Sequence, residues 1–100
     1  KMKINLILFL SSAKETFMKS FESNFRPFQG DIIDDPGFDP RFHNGYEVAK
    51  VSINYAADEC YVSLSPLALE LEEINVEDYM EKLKNNGWSI LSLEELNKQL

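Results

Sequence analysis

The chain has 100 residues, of which 44% are hydrophobic, and its formal net charge at pH 7 is −7. This length suits one globular domain over residues 1–100, and the apolar content excludes a disordered chain. No apolar run approaches the roughly 20 residues that a membrane-spanning helix needs, and a single cysteine excludes an internal disulfide. We therefore expect a soluble, cytoplasmic protein.

The negative charge is concentrated in the middle of the sequence. Residues 31–81 carry thirteen acidic and two basic side chains, whereas residues 1–30 have a net charge of +3. A negative surface repels nucleic acids and anionic lipids, and it attracts basic proteins. We expect no nucleic-acid or membrane partner, although a modest negative charge is also ordinary in soluble domains.

The N-terminal part predicts a strand followed by a helix. Residues 3–10 are almost entirely apolar, as in a central strand covered on both faces, and the run is short for a signal peptide. Ser12 and Glu15 have the spacing of a helix-capping box. Phenylalanine then recurs every four residues, at Phe17, Phe21 and Phe25. This spacing is typical of one helix face, so we predict a helix over residues 12–25 that ends before Pro27.

The next segment predicts short strands around a turn-rich loop. Residues 28–34 contain a short apolar centre typical of a strand, and aspartate, proline and glycine dominate the following residues. Asn44 and Gly45 form a strong two-residue turn signal. We expect this turn to join residues 42–43 to residues 46–47.

A β-hairpin is predicted in most detail over residues 51–64. Apolar and polar residues alternate on both sides of a polar turn at residues 56–59. If Tyr55 pairs with Cys60, one face of the hairpin is wholly apolar. That face contains Val51, Ile53, Tyr55, Cys60, Val62 and Leu64. After Pro66 the apolar positions change parity, which indicates a bulge or a corner.

The C-terminal part predicts two helices and a short edge strand. Asn75 is suited to cap a helix with a buried face formed by Val76, Tyr79, Met80 and Leu83. Asn86 and Gly87 end it, Trp88 packs back on it, and residues 88–91 form an edge strand. Ser92 opens a last helix.

These elements predict an α+β fold with a strongly bent, mainly antiparallel sheet packed with two to three helices. Residues 28–69 resemble the general layout of small SH3-like barrels, so a small open barrel of that type is one expected form. The resemblance includes no diagnostic motif, and it implies no function.

Few residues are candidates for chemistry. His43 is the only histidine, and the alternation places the only cysteine, Cys60, on the apolar hairpin face, which disfavours a catalytic pair. Carboxylates that could bind a cation occur at Asp31, Asp34, Asp35 and Asp39. Their spacing is not that of a calcium loop, and turn formation explains them more simply. We predict no catalytic residues and no cofactor.

The leading prediction is a non-catalytic protein-interaction domain that binds a basic partner. It would be an immunity- or antitoxin-like inhibitor, or an accessory protein of a mobile element. Aromatic side chains in the irregular loop and acidic side chains after Pro66 would form the contact: Phe38, Phe42, Tyr46, Glu70, Glu72 and Glu73. Two alternatives stay open. One is a small metal- or ligand-binding protein that uses the acidic residues 31–39, and the other is a homo-oligomer formed through a free strand edge.

Overall fold

The computed structural model describes residues 1–11, 13–38, 45–66 and 75–91. These ranges contain six strands and one helix. In chain order they are β1 (Met2–Leu10), β2 (Glu15–Ser23), β3 (Ile32–Ile33), β4 (Tyr46–Asn54), β5 (Glu59–Pro66), α1 (Val76–Asn85) and β6 (Ser89–Ile90). These ranges contain no helix that is long and apolar enough to cross a membrane.

The six strands form one strongly curled sheet in the order β3-β4-β5-β1-β2-β6. Four neighbouring pairs are antiparallel, and the central pair of β1 and β5 is parallel. The sheet is therefore mixed, and β3 and β6 form its two edges within the described residues. The α+β class agrees with this architecture. Four of the five strand pairs are antiparallel, as expected for a mainly antiparallel sheet, and the parallel pair at its centre was not predicted. The two to three helices predicted are not present in the described ranges, which contain one.

The helix predicted over residues 12–25 is wrong, because residues 15–23 form the strand β2. The phenylalanine spacing misled the prediction: residues four apart share a face in a strand as well as in a helix. β2 pairs along its whole length with β1, from Leu10 with Glu15 to Met2 with Ser23. The backbone of β2 forms hydrogen bonds with the N–H and C=O groups along one edge of the apolar β1. The free energy gained by this pairing outweighs the weak local preference for a helix.

The hairpin of β4 and β5 is confirmed, but its register differs from the prediction by two residues. Cys60 pairs with Ile53 instead of Tyr55, and the turn comprises residues 55–58. Tyr55 is 77% exposed. The register slips again between Val48 and Lys50, where an extra residue forms a bulge in β4. The irregularity expected after Pro66 lies outside the described residues.

The predicted C-terminal helix is confirmed as α1. Asn75 caps it by accepting a hydrogen bond from the backbone N–H of Asp78, and Tyr79 and Leu83 are buried. The helix ends at a turn in which Gly87 has a φ of 93°, and the predicted edge strand is β6, which pairs with β2. The helix predicted from Ser92 and the residues preceding Gly45 in the predicted turn lie outside the described residues.

Alternation divides the sheet into two faces. The core face carries the main apolar cluster, which includes Ile4, Leu6, Leu8 and Leu10 of β1, Phe17 of β2, Tyr46 and Val48 of β4, and Cys60, Val62 and Leu64 of β5. Tyr79 and Leu83 of α1 belong to the same cluster, together with Phe38 and Trp88. The outer face carries the alternate residues, most of which are polar.

Candidate interaction surface

Residues 24–31 connect β2 to β3, which lie on opposite sides of the curled sheet. This segment must therefore cross the sheet. Burial raises the pKa of the Cys60 thiol, and the positive charge of Arg26 lowers it in part. The charge of Arg26 therefore acts on the Cys60 thiol across the space between the segment and β5.

The crossing segment exposes large apolar side chains. Phe25 is 85% exposed and Phe28 is 57% exposed, and Ile32 at the start of β3 is also exposed. The guanidinium carbon of Arg26 lies 3.9 Å from the centroid of the Phe28 ring, in a cation–π contact. We call Phe25, Arg26, Phe28 and Ile32 the aromatic crossing.

Hydrogen bonds hold the backbone of the aromatic crossing in place. The Asp31 carboxylate accepts from the Phe28 N–H at 2.9 Å, and the Asp31 N–H donates to the Phe28 carbonyl at 3.0 Å. The Gly30 N–H donates to the Val48 carbonyl at 2.9 Å, which ties the segment to β4. Because the backbone is already ordered, these aromatic side chains can contact a partner with little further loss of conformational entropy.

Two of the aromatic residues predicted to contact a partner are instead in the core. Phe38 is 4% exposed, and its ring meets that of Tyr46 edge-on, with centroids 4.6 Å apart. The Tyr46 and Tyr79 hydroxyl oxygens are 2.6 Å apart and share a hydrogen bond that links β4 to α1. The expectation that Phe38 and Tyr46 would be accessible is therefore wrong, and the remaining partner-contact residues, Phe42, Glu70, Glu72 and Glu73, lie outside the described ranges.

The acidic loop serves the fold locally. The Asp35 side chain is 8% exposed, and its two oxygens accept from the Lys19 ammonium at 2.6 Å, the Trp88 indole N–H at 2.9 Å and the Gly37 N–H at 2.8 Å. Asp34 accepts from the Asp35 N–H. Across the described ranges, no three metal-ligating side chains form a cluster. Asp31, Asp34 and Asp35 each accept a hydrogen bond from a nearby backbone N–H and so stabilise turns. Asp39 and His43 lie outside the described residues.

The outer face contains a second polar network, centred on the buried Asn5. Its amide donates to the Glu59 carboxylate and to the Cys60 carbonyl, both at 3.1 Å, and its oxygen accepts from the Ser20 hydroxyl at 2.6 Å. The ammonium of Lys3 lies 3.7 Å from the same carboxylate. These bonds join β1 to both of its neighbours, so their role is structural.

Comparison with protein-family models, with curated proteins and with solved structures finds no match for this chain. The functional argument therefore depends on the chain's own surface. Sequence reasoning missed the aromatic crossing because Phe25 was assigned to a helical stripe. A signal was nevertheless present: Phe25 and Phe28 lie on either side of the sequence Arg26-Pro27, where no regular element continues.

Proposed function

We propose that this chain is a small, soluble, non-catalytic domain that binds another protein through the aromatic crossing. The observation that supports the proposal is the exposure of Phe25 and Phe28 on a backbone held by hydrogen bonds. Exposed aromatic and arginine side chains are the types that contribute most to the affinity of protein interfaces.

The proposed partner is basic. Three exposed acidic side chains lie close to the aromatic crossing. Asp31 and Asp34 are its neighbours in sequence, and Glu47 of β4 pairs with Ile32 of β3. An apolar centre beside negative charge favours a partner with a complementary positive surface, because opposite charges increase the association rate and orient the encounter. We propose that Phe42, Glu70, Glu72 and Glu73 extend this contact.

A cytoplasmic inhibitor of the immunity or antitoxin type, or an accessory protein of a mobile element, fits these properties. Such proteins need a stable scaffold and a surface complementary to a basic enzyme, and they need no catalytic group of their own. The proposal for a metal-binding role has less support, since Asp35 already accepts three hydrogen bonds from protein donors.

The test compares partner capture by tagged variants from the native lysate. Phe25→Ser/Phe28→Ser should lose a basic partner that the wild type retains at low salt. The matched control is Phe9→Ser, because Phe9 is 54% exposed on the outer face of the sheet. It should capture as much partner as the wild type.

Charge reversal provides the second part of the test. Glu70→Lys/Glu72→Lys/Glu73→Lys should weaken the complex and reduce its salt dependence. Equal capture by wild type, Phe25→Ser/Phe28→Ser and Phe9→Ser would eliminate the aromatic crossing as the contact. Recovery of no specific partner by the wild type would count against an interaction domain altogether.

A further inference from the structure

Among the described residues, the edge of β4 that faces away from β5 is only partly covered. β3 and the residue before it pair with the first part of this strand, where the Val48 N–H donates to the Asp31 carbonyl at 2.8 Å. Beyond that point, from Ala49 to Asn54, no strand lies alongside β4 within the described residues. An open edge of this length presents backbone donors and acceptors that can pair with another chain.

We propose that a second copy of this chain pairs with the open edge, antiparallel and around a two-fold axis at Ser52. In this register Ser52 faces its own copy, Val51 faces Ile53, and Lys50 faces Asn54. This proposal is independent of the partner bound by the aromatic crossing.

The residues of the edge are complementary to themselves in this register. Val51 and Ile53 lie on the core face and are only partly buried in one chain, so pairing would extend the apolar face from one copy to the next. The charged Lys50 meets the neutral Asn54 and not a second lysine. A two-fold arrangement therefore creates no pair of like charges directly across the two strands.

The same register also brings together exposed groups at the ends of the edge. Tyr55 follows the last residue of β4, and the Gly30 turn lies beside Val48, where the partner strand would end. Residues 55 and 30 of different copies then become neighbours. A side chain built at Gly30 would meet no atom within 4 Å, so the space over this glycine is open to the Tyr55 ring.

The net charge of the chain opposes dimerisation, and this fixes the direction in which salt should change the dimer affinity. Each copy carries a formal net charge of −7, so the two copies repel one another at low ionic strength. Added salt should strengthen the dimer. A complex with a basic partner should respond in the opposite direction, which separates this proposal from the proposed function.

Site-specific disulfide formation tests the register directly. In the proposed dimer, a cysteine at position 52 faces itself with Cβ atoms about 5 Å apart, close to disulfide geometry. A cysteine at position 50 is about 14 Å from its counterpart, because four residues of strand separate them. Ser52 and Lys50 are both exposed on the outer face, which makes Ser52→Cys and Lys50→Cys a matched pair. The wild type is the background control, since its only cysteine, Cys60, is fully buried.

We expect Ser52→Cys to form a disulfide dimer under mild oxidation at least tenfold faster than Lys50→Cys. Sedimentation equilibrium of the wild type should show a reversible monomer–dimer equilibrium that shifts toward dimer with salt. Tyr55→Ser should weaken it by tenfold or more, because the two-fold dimer loses both of its Tyr55 contacts. A monomeric mass up to millimolar concentration, or equal cross-linking rates for both cysteine variants, would overturn the proposal.

Discussion

The two faces of the sheet are stabilised in different ways. The core face buries a continuous apolar cluster beneath α1, and its principal charged contact is the ion pair of Lys19 with Asp35. The outer face carries mainly polar side chains, and its most buried polar residue, Asn5, is held by hydrogen bonds to both neighbouring strands. Apolar burial should therefore determine the stability of the first face, and hydrogen bonding should contribute most on the second.

Exposed apolar side chains also differ in their surroundings. Phe9 lies on the outer face of β1, whereas Phe25 and Phe28 lie on the segment that connects β2 to β3. The comparison shows that exposure alone does not identify a functional surface. Exposed aromatic residues beside a cationic side chain and on an ordered backbone make a stronger candidate than one isolated phenylalanine.

The largest expected difference in stability between the faces comes from two phenylalanines of the antiparallel pair β1 and β2. Phe17→Ala removes a fully buried ring from the core face and should lower the free energy of unfolding by about 3–5 kcal/mol. Phe9→Ala, on the outer face, should lower it by less than about 1 kcal/mol. Urea unfolding followed by circular dichroism measures both. Similar losses for the two variants would show that the faces do not differ as described.

A second prediction concerns Asp35, which joins three parts of the core face. Asp35→Asn removes the charge that pairs with Lys19 and should lower the free energy of unfolding by about 1–3 kcal/mol. Asp34→Asn is the control, because Asp34 is exposed, and should change it by less than about 0.5 kcal/mol. Thermal unfolding of both variants gives the comparison. If Asp34→Asn were the more damaging substitution, the central role of Asp35 would be refuted.

A third prediction concerns the polar network of the outer face. Asn5→Ala leaves the Cys60 carbonyl and the Glu59 carboxylate without one of their donors and should cost about 1–2 kcal/mol. Ser20→Ala removes a single hydrogen bond to the same side chain and should cost about 1 kcal/mol or less. Chemical denaturation of both variants ranks them. A cost for Ser20→Ala greater than that for Asn5→Ala would contradict the central position of Asn5.

The smallest effect is a loss of stability at alkaline pH. Burial is the main cause that raises the pKa of the Cys60 thiol from its ordinary 9.0, and burial followed by the charge of Glu59 raises that of Tyr61 from 10.0. Both groups are neutral when protonated, so the folded chain retains these protons more strongly than the unfolded chain. Their contribution is complete below the ordinary pKa values and is lost as pH rises through the raised ones.

Urea midpoints measured from pH 8 to pH 11 test this dependence. The wild type should lose stability more steeply above pH 9 than Cys60→Ala/Tyr61→Phe, which lacks both groups. Lysines and other tyrosines titrate in both proteins, so the difference between the two slopes is the quantity of interest. Parallel pH profiles would mean that these two groups do not contribute.

The candidate surface was predicted less well than the fold. The loop aromatic residues Phe38 and Tyr46 were expected to be accessible, but both belong to the core. The Phe38 ring contacts those of Tyr46 and Trp88, and the Trp88 indole N–H donates to Asp35, which is far from it in sequence. The local sequence does not predict contacts between residues so far apart. The aromatic crossing was missed for a related reason, since its exposure depends on where β2 ends and which strands it connects.

The sequence by itself determined the elements whose signals are local: the alternation of β4 and β5, the apolar β1, and α1 with its Asn75 cap and its glycine end. These signals depend on neighbouring residues, on period and on backbone preference, so they can be read without knowing the rest of the molecule. Only the tertiary structure decided between helix and strand for residues 15–23. Phenylalanines four residues apart lie on one face in both a helix and a strand, and pairing with β1 selects the strand. Tertiary structure also selected the hairpin register, the parallel contact of β1 with β5 and the burial of Phe38, since each depends on contacts between segments far apart in the chain.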